Sequence, residues 1–245
     1  MATLYLIDIL DDPDHAFTDV FDRFLQRENL NISYYRIDGL HEQVNYEAVL
    51  DSDPAGIVIS GSLQSVYDQK PWMQKLSLCI REAHRRNIPV IGLCFGHQLI
   101  AHAMGGQVEP LKSWEFGVHT VFQQGEHDLL QDLPERFETL QVHQDHVSRL
   151  PEGAQNLGFS EQTPHQMFAL GSLFGVQFHP EYTVEMLRTI IQHRHQKFVD
   201  KGPFTSEAHL NALANRWEVP TLPAKILRRF LLSLPVEAEE RDHAV

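Results

Sequence analysis

Two short runs in this sequence carry side chains that could do covalent chemistry. The first is Gly92-Leu93-Cys94-Phe95-Gly96-His97-Gln98, a thiol flanked by glycines two residues to either side. An apolar strand precedes it and a helical pattern follows, so it has the form of a nucleophile elbow with cysteine in the place of serine. A tight strand-to-helix turn pushes the central side chain out of the sheet edge, and the glycines remove side chains that would block the bend. The following helix turns its positive end toward the sulfur, which favours thiolate. It also leaves the Phe95 backbone N–H placed to hold an oxyanion. Cysteine is equally a frequent core residue, so the run gains its weight from a second one. That is Gly175-Val176-Gln177-Phe178-His179-Pro180-Glu181, at the end of another apolar strand. His179 and Glu181 are two apart, and an extended backbone sends both side chains the same way. Pro180 fixes φ between them and keeps His179 out of helical conformation. An imidazole held by a carboxylate has the composition of a general base and its orienter.

The elements that must position these groups follow from periodicity. Thr3 to Leu10 is a strand closed by Asp11, Asp12 and Pro13, and residues 16–29 have helical spacing through Phe17, Val20, Phe21, Phe24 and Leu25. Ile32 to Ile37 and Gly56 to Ser60 are the next strands. A helix opens at Pro71 and carries Trp72, Leu76, Cys79, Ile80 and Ala83 on one face. Ile88 to Leu93 is a buried strand, and Gly96 to Met104 a helix stopped by Gly105 and Gly106. Strands alternating with helices predict an α/β fold with a mostly parallel central sheet and flanking helices. Such a sheet gathers ligands at the C-terminal ends of its strands. After residue 110 the rhythm changes to short strands at Val118 to Phe122, Glu138 to Val142, Gln166 to Leu170 and Ser172 to Phe178. A helix over 183–198, two more over about 205–235 and an acidic tail ending at Val245 complete the reading. No repeat, linker or composition shift cuts the chain, so residues 1–245 are expected to form one domain with the C-terminal helices packed on it.

Composition excludes several classes. The formal net charge of -13 repels phosphate backbones and anionic membrane surfaces, which argues against nucleic-acid and membrane partners. No run approaches the ~20 apolar residues that span a bilayer. The apolar start reads as a first strand, with neither basic leader nor cleavage site. The two cysteines, Cys79 and Cys94, suggest no disulfide framework and fit a reducing compartment, so a cytoplasmic location is expected. Fifteen histidines invite a metal, but there is no His-Glu-x-x-His and no cysteine cluster, only loose pairs such as His143/His146 and His193/His195. Neither a metal nor a cofactor is expected. Cys79, on the apolar stripe of its helix, reads as packed rather than reactive.

Taken together, the Cys94 run and the Phe178–Glu181 run resemble the class I glutamine amidotransferases. The resemblance extends over roughly residues 50–190 in the right order. Ser60-Gly61-Ser62-Leu63-Gln64-Ser65-Val66-Tyr67 falls where that family has its Gly-rich oxyanion loop. Trp114-Glu115-Phe116-Gly117 resembles the segment beyond the elbow helix. His143-Gln144-Asp145-His146-Val147, followed by Leu150-Pro151-Glu152-Gly153-Ala154, is similar to its His-Gly-Asp and Leu-Pro-x-Gly stretch. The chain is most similar in kind to the free-standing subgroup that resembles the glutaminase domain of GMP synthase and that also includes γ-glutamyl peptidases. It departs from the pattern where Ser62 and Leu63 replace Gly-Pro, and where Gln144 replaces the commoner glycine.

The resemblance implies a flavodoxin-like class I amidotransferase architecture. It implies Cys94, His179 and Glu181 as the catalytic triad, and backbone N–H groups of Phe95, Gly61 and Ser62 as the oxyanion hole. It also implies His143 and Asp145 in the substrate pocket, with Gln98 holding either the substrate's amino-acid end or the elbow itself. The reaction would be hydrolysis of the glutamine side-chain amide through a γ-glutamyl thioester. Residues after Glu181 are too few for a synthetase domain and carry no ATP-binding motif, so any ammonia acceptor is expected to lie on a separate synthase subunit, or to be absent. Two alternatives stand beside this: a partner-independent γ-glutamyl peptidase, and a non-catalytic regulatory subunit on the same fold. The intact set of thiol, imidazole and carboxylate argues against the last. A related family, the intracellular protease-like hydrolases, has histidine directly after its cysteine, where this chain has Phe95.

Overall fold

The computed structural model describes residues 2–11, 16–191, 206–215, 217, 218, 220–236, 239 and 240. Residues 192–198 of the expected helix, the His193/His195 pair, Asp12 and Pro13, and the tail over 241–245 lie outside them. The elements are β1 (Leu4–Asp8), α1 (Phe17–Arg27), β2 (Leu30–Asn31), β3 (Tyr34–Asp38), α2 (Tyr46–Asp51), β4 (Gly56–Ile59), α3 (Pro71–Arg85), β5 (Val90–Leu93) and α4 (Phe95–Ala103). There follow β6 (Gln107–Gln123), β7 (Arg136–Arg149), β8 (Gln155–Phe159), β9 (Met167–Leu170), β10 (Leu173–Val176), a helix α5 over 184–191, α6 (Glu207–Ala214), α7 (Ala224–Ser233) and β11 (Glu239–Glu240).

One nine-stranded sheet runs β3-β1-β4-β5-β10-β9-β8-β6-β7. From β3 through β10 every neighbouring pair is parallel, and from β10 through β7 every pair is antiparallel. The parallel half has the expected βαβ character. Its inner strands β4, β5 and β10 are short, continuously apolar and buried at every residue, as sheets covered on both faces require. Alternation along each strand splits the core in two. Leu4, Leu6, Val58, Ile91 and Leu93 pack with α1, α5 and α7. Ile7, Ile57, Ile59 and Val90 pack with α2, α3 and α4.

The changed rhythm after residue 110 is the antiparallel half. Here β6 and β7 form a long ribbon, bulged between Pro110 and Glu115, and both extend well beyond the stretches Val118–Phe122 and Glu138–Val142 expected from the sequence. The reason is that their buried face is polar: Glu115, Thr139, Gln141 and His143 are all buried, which hides the apolar alternation that marks a strand. Strand β8 and helix α2 were likewise not among the expected elements.

Behind the ribbon, the C-terminal segment is fastened at several points. Arg188 of α5 donates to the carbonyls of Ala214 and Trp217, and the Trp217 ring lies over Phe116 at 5.8 Å. Gly117, at φ +101, leaves that ring its space: a Cβ there would come within 2.4 Å of it. Among the described residues no helix is long and apolar enough to cross a membrane.

Candidate active site

Three adjacent parallel strands deliver three loops to one rim. In register, Ile59 of β4 faces Gly92 of β5, and Leu93 of β5 faces Val176 of β10. The residues just past those positions are Ser60 and Gly61, then Cys94, then Gln177 to Glu181. A cavity of about 210 Å³ opens there, lined by Cys94, His179, Gly61, Ser62, Phe95, Gln98, His143 and Asp145 among others. Every residue expected in the triad, the oxyanion hole or the substrate pocket except Glu181 therefore reaches this cavity, and Glu181 lies directly behind His179.

The elbow is enforced by lack of space. A Cβ on Gly92 would sit 2.4 Å from the Gly96 carbonyl carbon, and one on Gly96 would sit 2.6 Å from the Ile59 carbonyl oxygen. Cys94 caps α4 at φ 50, ψ -100, a left-handed conformation that costs a non-glycine residue roughly 1–3 kcal/mol. Its N–H is tied to the Val176 carbonyl at 2.8 Å, so the strained residue is pinned to the strand that leads to His179. The adjacent His97 is fully buried against Phe168 at 4.9 Å. It fits only because Gly175 has no side chain, since a Cβ there would lie 2.6 Å from its Nδ1. Burial holds the His97 imidazole down at about 3, so it is a neutral packing group.

His179 is 6 % exposed and its Nδ1 is 2.7 Å from Glu181 Oε1. Tyr182 stacks on the imidazole face at 4.1 Å and 9°. Burial opposes protonation of His179, but the charge of Glu181 and the hydrogen bond and charge of the neighbouring Cys94 sulfur overrule it and lift the imidazole to about 10. His179 therefore carries its proton through neutral pH. Gly61 is packed against both groups: a Cβ on it would be 3.3 Å from His179 Cε1 and 3.7 Å from Cys94 Cβ. Ser60 Oγ donates to the Gly61 carbonyl at 3.0 Å and accepts from Ile9 N, which fixes the loop.

Several contacts were not signalled by the motifs. Gln177 Nε2 lies 3.6 Å from Cys94 Sγ; the same two-residue alternation that pairs His179 with Glu181 could have found it. Arg27 of α1 donates to the carbonyls of Pro180, Glu181 and Tyr182 at 3.2–3.4 Å, gripping the loop that holds the base and carboxylate. No local pattern announces a residue so distant in sequence. Asp145 is buried and accepts from Ser65 Oγ at 2.6 Å and Tyr67 OH at 2.9 Å. Gln98 Nε2 donates to the Asp145 carbonyl at 2.8 Å and to Gln177 Oε1 at 3.1 Å, so its amide nitrogen is committed to tying α4 to β7 and to the segment after β10. Gln144, in place of glycine, reaches Ser65 Oγ at 3.4 Å. Cys79 lies away from the cavity, with burial pushing its thiol up to about 12, which leaves it unreactive. Among the described residues no group of three or more His, Cys, Asp or Glu side chains is arranged to hold a metal ion.

Comparison with known proteins agrees with this geometry. Residues 9–196 match the family model described as glutamine amidotransferase class-I. A GMP synthase [glutamine-hydrolyzing] of Thermomicrobium roseum is 35% identical over 147 residues, covering 60% of this chain and 27% of that protein. A GMP synthase [glutamine-hydrolyzing] subunit of Methanocaldococcus jannaschii is 35% identical over 128 residues, 51% of this chain and 64% of that one. The chain thus spans only about a quarter of the length of the long curated relatives it matches. Among solved structures, a glutamine amidotransferase from Thermotoga maritima superposes with a TM-score of 0.68 at 20% identity, covering 95% of this chain and 99% of that one. Another from Methylobacillus flagellatus gives 0.68 at 23% identity, with 99% and 98% covered. These structural likenesses show a shared fold, and the match of the family model over most of the chain shows that it belongs to the class I glutamine amidotransferases.

Proposed function

We propose that this chain hydrolyses the side-chain amide of glutamine, with Cys94 as nucleophile, His179 as acid and base, and Glu181 as orienter. The observation that carries this is the convergence of sulfur, imidazole and carboxylate at one rim, with the Gly61 backbone against the first two. In the reaction, the Cys94 thiolate attacks the amide carbon, and the carbonyl oxygen gains the negative charge. Backbone N–H groups of Phe95 and of Gly61 and Ser62 hold that oxygen, a contribution of about 3–4 kcal/mol for one donor. The C–N bond breaks as His179 gives its proton to the departing nitrogen. Water then loses a proton to His179 and attacks the thioester carbon; the C–S bond breaks and glutamate leaves. Asp145 and the Gln98 carbonyl oxygen, at the cavity wall, hold the amino-acid end of the substrate. The whole of residues 1–245 acts as one unit in the cytoplasm, whose reducing conditions keep Cys94 as a thiol, and passes ammonia to a separate synthase subunit.

A second reading draws on the lining of the cavity, which also includes Tyr182, Val20 of α1 and Met186 and Ile190 of α5. That apolar lining would admit the larger amine of a γ-glutamyl peptide.

Glutamate release by the purified chain, with glutamine and with γ-glutamyl peptides, tests both. Peptide turnover far above glutamine turnover, without any added partner, establishes the second reading. Glutamine turnover that rises on adding a synthase establishes the first. Cys94→Ala should lower either rate by at least about 10³-fold, and an unchanged rate removes the mechanism.

A further inference from the structure

Behind the cavity lies a second carboxylate–imidazole couple, which the proposed reaction does not use. Glu115 on β6 is 1 % exposed. Its Oε1 accepts from Ser160 Oγ at 2.5 Å. Its Oε2 accepts from Thr163 Oγ1 at 2.7 Å and Gln166 Nε2 at 2.9 Å, and faces His143 Nε2 at 3.0 Å. A carboxylate can only accept, and this dictates the direction of every bond leading to it. Gln166 must turn its nitrogen toward Glu115, so its oxygen faces Gln141, which donates to it at 2.9 Å. Gln141, having turned its nitrogen away, presents its own oxygen to His143 Nε2 at 3.0 Å. On the other side of the ring, His143 Nδ1 is 2.9 Å from the backbone carbonyl of Asp145. Both ring nitrogens therefore face acceptors alone, and each must carry a proton.

We propose that Glu115 is a positioning residue of the active site: it keeps His143 as a doubly protonated imidazolium, which in turn fixes Asp145 and Gln98 in the cavity wall. The Asp145 carbonyl receives two converging donors, His143 Nδ1–H and Gln98 Nε2–H. Earlier on the same strand, the Val142 carbonyl lies 3.9 Å from Cys94 Sγ. His143 lines the cavity and Glu115 does not, so the couple turns its positive end toward the substrate. Burial resists ionisation of Glu115, but the hydrogen bond and charge of His143 and the hydroxyls of Ser160 and Thr163 hold its carboxyl down at about 2. The other titratable groups whose charge acts with that of His143 are His146 on β7 and His97 on α4; the imidazolium disfavours a further proton on either histidine. The couple is tied to Asp145 and Gln98 in the cavity wall, whereas His179 pairs with Glu181. Its loss should thus weaken substrate binding while leaving the sulfur's reactivity in place.

Ring-nitrogen NMR of the intact chain tests the charge state directly. His143 should show both nitrogens protonated at neutral pH, as its three acceptor contacts require. In Glu115→Gln it should become a neutral tautomer under the same conditions, while Glu115→Asp should retain the second proton. The Gln98 side-chain amide protons should exchange at least about tenfold faster in Glu115→Gln than in the wild type. For turnover, which rests on the function proposed above, Glu115→Gln should raise KM about tenfold and leave kcat within about threefold. Alkylation of Cys94 by iodoacetamide should stay within about twofold, because the sulfur's contacts with Val142 and Gln177 do not run through Glu115. A neutral His143 in the wild type at pH 7 overturns the proposal, as does unchanged Gln98 exchange in the variant. An equal fall in kcat and alkylation also overturns it, since that reports a collapsed site. If neither glutamine nor a γ-glutamyl peptide is turned over, the proposed function fails, while the His143 and Gln98 measurements still decide this inference. They need no substrate, and the His143 measurement needs no folded variant.

Discussion

The two halves of the sheet hold the site by different physics. In the parallel half, position is set by exclusion. Strands β4, β5 and β10 are apolar and buried throughout, and at Gly92, Gly96 and Gly175 there is no room for even a methyl group. In the antiparallel half, position is set by hydrogen-bond direction. Thr139, Gln141, Thr163 and Gln166 are all at 0 % exposure; Gln141 donates to Thr139 and Gln166, and Gln166 and Thr163 donate to Glu115. The first half carries Cys94 and His179, the proposed nucleophile and base; the second carries the wall against which a substrate would rest. Steric exclusion tolerates strain at Cys94 because nothing nearby can relax. A directed polar network instead fixes orientation and charge, but only while every member is present.

The contrast breaks most sharply at Gly92. A methyl there meets backbone atoms of Gly96 at 2.4 and 2.5 Å, and backbone cannot rotate aside as a side chain can. Gly92→Ala should cost more than about 4 kcal/mol, the range reserved for core clashes and strained backbone, and should be read by denaturant unfolding. A cost under about 1 kcal/mol would show that the elbow is softer than its contacts indicate.

The next largest effect separates the halves by pH. Glu115 has its folded value below the ordinary carboxylate range, at about 2 against 4.5. Its contribution to stability is present above pH 4.5 and is lost as pH falls toward 2. His179 is shifted the other way, to about 10 from 6.5. Its contribution is complete below pH 6.5 and is lost as pH rises toward 10. Unfolding free energy should therefore fall on both limbs, each by on the order of 3 kcal/mol. Glu115→Gln should flatten the acid limb alone and Glu181→Gln the alkaline limb alone. Any crossing of these effects, measured by urea unfolding across pH, would mean that the two couples act as one.

The same contrast explains what could be read from the sequence. Cys94 with its glycines, and His179 with Glu181, were legible because their geometry is local: a residue or two of spacing decides where each side chain points. That they meet at one rim was an expectation from the parallel topology, and the pairing of β5 with β10 is what brings their strands side by side. The β6–β7 ribbon is legible over only a fraction of its length, because a strand whose buried face carries Glu115, Thr139, Gln141 and His143 shows no apolar alternation. Helix α2 has only Tyr46 and Leu50 buried, too little to register as a period. Gln98 stood balanced between substrate and scaffold, and its two donated bonds commit its nitrogen to scaffold. Glu115 stands out in the sequence only as part of a motif. Its partners come from β7 and from the residues around β8 and β9, a set that only the folded register assembles.

The smallest effect concerns Arg27, which braces the His179 loop from outside both halves. Arg27 ends α1, its guanidinium lies 5.2 Å from the Phe24 ring centroid, and it donates to three successive carbonyls from Pro180 to Tyr182. It touches neither His179 nor Glu181 through a side chain, so it can only set where their backbone lies. Glu181 Oε1 is held by His179, while its Oε2 has no hydrogen-bond partner among the described residues, and the carboxylate is thus anchored on one side only. The Arg27 bonds to the backbone make up for that. Arg27→Met keeps an apolar side chain beside Phe24 and removes the three bonds together with the ion pair to Glu28. Because the lost donors are charged and partly exposed, the cost to stability should be about 1 kcal/mol. The loop gains freedom, and the His179–Cys94 geometry should loosen enough to lower kcat by about three- to tenfold with KM little changed. That is the opposite split from Glu115→Gln. Equal KM effects in the two variants would erase the distinction between a region that places the base and one that receives the substrate.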